Sequence, residues 1–223
     1  MFVRRLQPVR NLRDLTFTVL VALCVDVLAK IVLMLAGPRF VLSAAVLTGR
    51  STHPDTDALL RWLFLLHLPT ALFAWVAFML WLLEARMNAE SLAPLPHRWF
   101  KIFILLGWLV PVANHWIPKQ IVDDVWASSR PGGVRGDFIG RQTHSGLVWA
   151  WWISWVLANW MTPLSWGMFT APHRPAFAAL LLIDALFLLP SLVAVVLQIA
   201  VVLRVTQFQE YRSVLHRSWV RDQ

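Results

Sequence analysis

The sequence predicts an all-α integral membrane helical bundle: four transmembrane helices plus a re-entrant or interfacial helical hairpin, in a single membrane domain over residues 1–223. Three observations predict it. Of 223 residues, 58% are hydrophobic and 14% charged, with mean hydropathy +0.61, whereas soluble domains are about half apolar and a quarter charged. Four apolar runs reach the roughly 20 residues that a helix needs to cross a bilayer. They lie at about 15–36, 59–83, 146–168 and 176–203. A further apolar run, from Ile102, stops at Pro111, Asn114 and His115 and is followed by Pro118, Lys119, Gln120, Asp123 and Asp124.

The first run follows a basic stretch, MFVRRLQPVRNLRDL. It contains Asp26 and Lys30 and no small-x-small cleavage pattern, which predicts an uncleaved span. Cys24, the single cysteine, lies inside it and reads as a small packing residue. The third run, LVWAWWISWVLANW, carries Trp149, Trp151, Trp152, Trp155 and Trp160, most of which read as an interfacial belt. The fourth is long enough to tilt or to extend beyond the bilayer.

Charge decides how the interrupted run is placed. The net charge of +8 and pI near 11.2 would suggest nucleic acid in a soluble chain, but here the arginines flank apolar runs and set orientation instead. If residues 99–127 form a broken hairpin that turns back, fifteen of the 20 Lys and Arg share one face: Arg4, Arg5, Arg10, Arg13, the seven between Ala85 and Ser145, and Arg204, Arg212, Arg217 and Arg221. Only Arg39, Arg50, Arg61 and Arg174 lie in the opposite loops. By the positive-inside tendency this places both termini on the cytoplasmic side. Pro111 removes a helical hydrogen bond, Pro118 suits the first turn of a new helix, and Asn114 is positioned to satisfy backbone groups freed by the break.

The order Trp81-Leu-Leu-Glu84-Ala-Arg86-Met-Asn88-Ala89, then Gly107-Trp108-Leu-Val-Pro111-Val-Ala-Asn114, then Pro118, then Asp123 or Asp124 with Trp126 and Ala-Ser, and then a Trp-rich span, resembles the actinobacterial membrane-protein family catalogued as domain of unknown function 4328. The resemblance covers roughly residues 60–160 and implies a small bacterial multi-span protein of the cytoplasmic membrane, without implying an activity. His115 departs from the apolar residue expected there.

Two groups of polar residues are candidates for function. Toward the cytoplasmic face, Glu84, Arg86, Asn88, Asn114 and Asp124, with the faces of Trp108 and Trp152, are candidates for binding a headgroup or the polar end of a substrate. Glu84 and Asn88, four apart, share a helical face, and the carboxylates can pair with Arg86, Arg98 or Lys119. The competing reading is that these residues pin the hairpin to the second span. Deeper in the bilayer, Asp26, His67 and Asp184 are catalytic candidates, with Asn159 nearby, because ionisable groups at that depth are costly. Asp26 and Lys30 can neutralise each other, and His67 is the expected partner of Asp184.

A carboxylate, an imidazole and 14 tryptophans suit general acid/base chemistry on a hydrophobic isoprenoid or lipid-like substrate, such as proton-initiated cyclisation or isomerisation. The alternatives are a non-catalytic module that binds membrane lipid or a partner membrane subunit, a homo-oligomer included, and a small proton-coupled carrier. No HExxH, paired-cysteine or HxxxH spacing is present, so no metal and no cofactor are expected.

Overall fold

The structure is a computed structural model that describes residues 9–36, 54–93, 95–134, 139, 145–169 and 177–221; within these, the side chains of 33–36, 54–64, 66, 161–169, 177–187 and 216–221 are outside the description. Among the described residues six α-helices follow in order: α1 (Arg13–Ala36), α2 (Pro54–Leu92), α3 (Phe103–Leu109), α4 (Ile117–Ser129), α5 (Gly146–Phe169) and α6 (Phe177–Arg221). A 3-10 turn, Ala113–His115, separates α3 from α4. No strand occurs among the described residues.

Three helical segments, not the four that the sequence predicts, are long and apolar enough to cross a membrane among the described residues: Arg13–Val32, His67–Leu92 and Leu188–Leu215. The expected third crossing coincides with α5, whose side chains are described only to Trp160, too short a stretch for a span. The last of these segments overlaps the run predicted at 176–203, and α6 itself continues past residue 203 to Arg221. Its 45 residues amount to about 67 Å of helical rise, more than one hydrocarbon core needs. In α1, Phe17, Val21, Val25, Leu28 and Val32 are all exposed and recur at helical spacing. An apolar stripe turned outward is what lipid requires and water penalises.

The helices divide between two compact units, one made of residues 1–19, 77–152 and 197–223, the other of 20–76 and 153–196. The first contains the hairpin. α3 has seven residues and α4 thirteen, about 10 and 20 Å of helix, so neither crosses a bilayer alone. They pack on each other and on the 3-10 turn, so the chain reverses here. Pro118 stands in the first turn of α4, as its fixed φ suits. Two positive-φ glycines, Gly132 and Gly133, make the turn after α4, and the Gly133 N–H donates to the Arg130 carbonyl.

The reversal requires close approach of the two arms. A Cβ placed on Gly107 would lie 2.9 Å from Ile117 Cγ2 and 3.3 Å from its Cβ. Glycine is therefore a packing requirement at this position. Gly107→Val is expected to cost about 1–3 kcal/mol through overpacking, read as a lowered thermal unfolding temperature in detergent; an unchanged temperature would show that the arms are not in contact.

Candidate functional site

Within the first unit, the polar residues singled out from the sequence form one internally bonded network. Glu84 and Asn88 do share a face of α2, and both meet Arg10. The Arg10 guanidinium donates to Glu84 Oε1 at 2.8 Å, and the Asn88 amide closes a reciprocal pair with the Arg10 backbone, accepting its N–H at 2.8 Å and donating to its carbonyl at 2.9 Å. Glu84 thus pairs with none of the three cations expected. Arg86, two residues on, projects from the other side of the helix and bonds Glu90 and the Trp99 carbonyl.

The aspartates of α4 find the partners that the sequence allows. Asp124, with no exposed surface, accepts the Arg98 backbone N–H at 2.9 Å and the Arg98 guanidinium at 2.6 and 2.8 Å. Lys119 pairs with Asp123 at 2.6 Å and lies 3.6 Å over the Trp149 ring. Trp99 donates to the Gln120 side chain at 2.7 Å. The linker before α3 is therefore tied to α2 through Arg86 and to α4 through Asp124 and Gln120.

Asn114 does not satisfy the break. Its side-chain oxygen is buried with no partner among the described residues. His115 takes the role instead: its Nδ1 lies 2.8 Å from the Pro111 carbonyl, and the Trp152 indole N–H donates to the His115 carbonyl at 3.2 Å. The backbone tightens to 3-10 geometry here, so the Pro111 carbonyl lacks its α-helical N–H and an imidazole N–H can replace it.

The tryptophans divide. Trp149 and Trp160 are largely exposed, as a belt requires, but Trp151 and Trp152 are buried. Trp108 packs edge-on against Trp152 and Phe78, and Trp151 meets both Phe78 and Trp152. These rings fill one another's faces. Gln209 carries the network furthest and was missed from the sequence, because the run was ended at residue 203. Its amide donates to the Ala85 carbonyl and to Ser129 Oγ, each at 2.8 Å, and accepts from Asn88 at 3.0 Å. The signal was present: Val201, Val202, Val205, Thr206 and Gln209 are all buried and recur at helical spacing.

In the second unit, Asp26 is buried and pairs with Lys30 at 2.7 Å. His67 Nδ1 stands 3.7 Å from Asp26 Oδ1, so the imidazole meets Asp26. The side chain of Asp184 lies outside the described residues, as does any pairing it makes. Asn159 is exposed and bonds its own helix at the Trp155 carbonyl. Cys24 is exposed and is not a packing residue.

His97, which the sequence did not single out, is held far from its ordinary state. Burial, reinforced by the positive charges of Arg86, Lys101 and Arg98, lowers its pKa to about 3, against a smaller opposing effect of Glu90. Because the unfolded chain takes up this proton near pH 6.5 and the folded chain does not, stability falls as pH drops from about 6.5 toward about 3. The unfolding temperature of His97→Gln is expected to fall less than that of the wild type between about pH 7 and pH 5; parallel curves would show that His97 is not buried in its neutral form.

Comparison with known proteins gives one match. No curated protein and no solved structure matches the chain. A family profile does, over residues 46–207, spanning α2 to most of α6 and containing the hairpin, Asn88 and the Trp-rich helix. Since this is most of the sequence, the chain belongs to the family described as Domain of unknown function (DUF4328).

Proposed function

We propose that the chain is a non-catalytic module of the bacterial cytoplasmic membrane, a four-span bundle with both termini cytoplasmic, that engages membrane lipid or a partner membrane protein. What supports this reading most is that the residues best suited to chemistry are consumed by one another. Asp26 faces Lys30, Glu84 faces Arg10, Asp124 faces Arg98, and Asn88 faces Arg10 and Gln209. Polar groups paired in this way hold helices together in a medium where an unpaired group is costly. The hairpin adds a lipid-facing surface: Phe100, Ile102, Leu105, Leu106, Leu109, Val110, Val112 and Trp116 are exposed along its outer side, while α4 is buried. A helix pair with that distribution re-enters or lies in the bilayer without crossing it.

A second reading is favoured by one observation. Asp26 Oδ1 and His67 Nδ1 are buried, 3.7 Å apart, and neither makes a hydrogen bond among the described residues, an arrangement from which acid/base work on an isoprenoid or lipid-like substrate can start. Native mass spectrometry with lipidomics separates the two. Under the module reading, wild type and Asp26→Asn carry the same co-purified compounds, and the variant loses only thermal stability. A hydrophobic compound retained in chemically different forms by the two proteins would favour catalysis and end the module reading.

A further inference from the structure

Most polar groups of the first unit find partners within it, and two close together do not. Arg86 is 4% exposed. Its Nε and Nη2 bond Glu90 and Trp99, but Nη1 is buried with no partner among the described residues. Both ring nitrogens of His97 are in the same condition. A buried donor without an acceptor costs free energy that a ligand oxygen can recover.

The charges around these groups indicate what the ligand is. Arg86, Arg98 and Lys101 all act on His97 from the cationic side, with Glu90 opposing them, and Asp124 is already taken up by Arg98. Three cations face two carboxylates, leaving one positive charge. Lys101 bonds Glu90 at 3.0 Å, is 45% exposed, and marks where the cluster meets the outside. Beside it Phe100 is 80% and Ile102 56% exposed. A guanidinium N–H, an imidazole N–H and an ammonium next to exposed apolar side chains suit a phosphate oxygen with an acyl chain alongside.

We propose that Arg86, His97 and Lys101 form a binding site for a phosphate monoanion, carried on a phospholipid headgroup or free in solution. This rests on the module reading and names the chemistry of its ligand. Arg86 Nη1 and Lys101 donate to the phosphate oxygens, and His97 completes the set with its N–H. The site needs no metal and no covalent step.

The test uses the full-length detergent-purified protein and its Arg86→Gln, His97→Gln and Lys101→Gln variants, with phosphatidylglycerol, the matching diacylglycerol and inorganic phosphate as probes. Native mass spectrometry counts retained lipid. The 15N imidazole resonances, with His97 assigned from His97→Gln, report on the site in a wild-type protein whose folding is not in question. A headgroup source predicts retention of phosphatidylglycerol but not diacylglycerol, about tenfold weaker in each variant, which is the loss of one charge-assisted hydrogen bond. A free-phosphate source predicts that inorganic phosphate alone shifts the His97 resonance, with no lipid retained. If neither probe moves His97, and phosphatidylglycerol is retained equally by all four proteins, the site is overturned while a lipid-binding module stands. Chemical conversion of a retained compound by the wild type would overturn the module and the site together.

Discussion

A carboxylate with no exposed surface cannot stand alone, and Asp124 is such a group. Removing one partner of a buried pair typically costs 3–5 kcal/mol, even where replacing both by apolar residues costs little. Arg98 therefore has to be beside Asp124, and it contributes both its backbone N–H and its guanidinium. These residues are 26 apart in sequence and on either side of α3. Were the intervening chain one continuous helix it would separate them by about 39 Å, more than a hydrocarbon core. The pair closes the segment into a loop, so the chain must turn back. Pro111 then marks where it turns, Gly107 permits the arms to meet, and His115 satisfies the carbonyl that the turn exposes.

The remaining polar residues of the first unit follow from that constraint. Once α4 is held back, its C-terminal Ser128 and Ser129 are buried, and the Ser128 carbonyl and Ser129 hydroxyl need partners. Gln209 and Arg212 of α6 supply them, bonding Ser129 Oγ and the Ser128 carbonyl, and the same two side chains reach α2 at Ala85 and Leu92. Asn88 joins the Arg10 backbone to Gln209. Each group is worth about 1 kcal/mol as a bond, but more as an unmet requirement if its partner is removed. Such a network specifies one arrangement of helices more than it adds stability. Arg86 Nη1 and both ring nitrogens of His97 are buried beside this network and take no hydrogen bond from it.

Much of this was legible in the sequence, for identifiable reasons. Apolar runs report helices because lipid imposes length and composition together, and Pro111 and Pro118 report the break between α3 and α4. Spacing placed Glu84 with Asn88 and Asp26 with Lys30, since four residues bring side chains onto one helical face. Partners distant in the chain were not legible: nothing local indicates that Glu84 meets Arg10 or that Gln209 meets Asn88. Hydropathy failed where it averages. It ended α6 at residue 203, although the buried stripe continues to Gln209, and it read most of five tryptophans as a belt although Trp151 and Trp152 belong to a core with Phe78 and Trp108. Asn114 was assigned the role that His115 performs, because amides are the usual helpers at a broken helix and an imidazole N–H serves equally well.

That residues 98–124 return to the face they left is the claim on which the rest of the account stands, and sidedness tests it directly. Pro96 and Pro131, both exposed and on either side of the hairpin, are each replaced by cysteine in a Cys24→Ser background, and a membrane-impermeant maleimide is applied to one side of sealed vesicles at a time. The account predicts that both positions label from the same side and neither from the other. Labelling from opposite sides would mean that the segment crosses, and would contradict the Arg98–Asp124 closure together with the topology built on it.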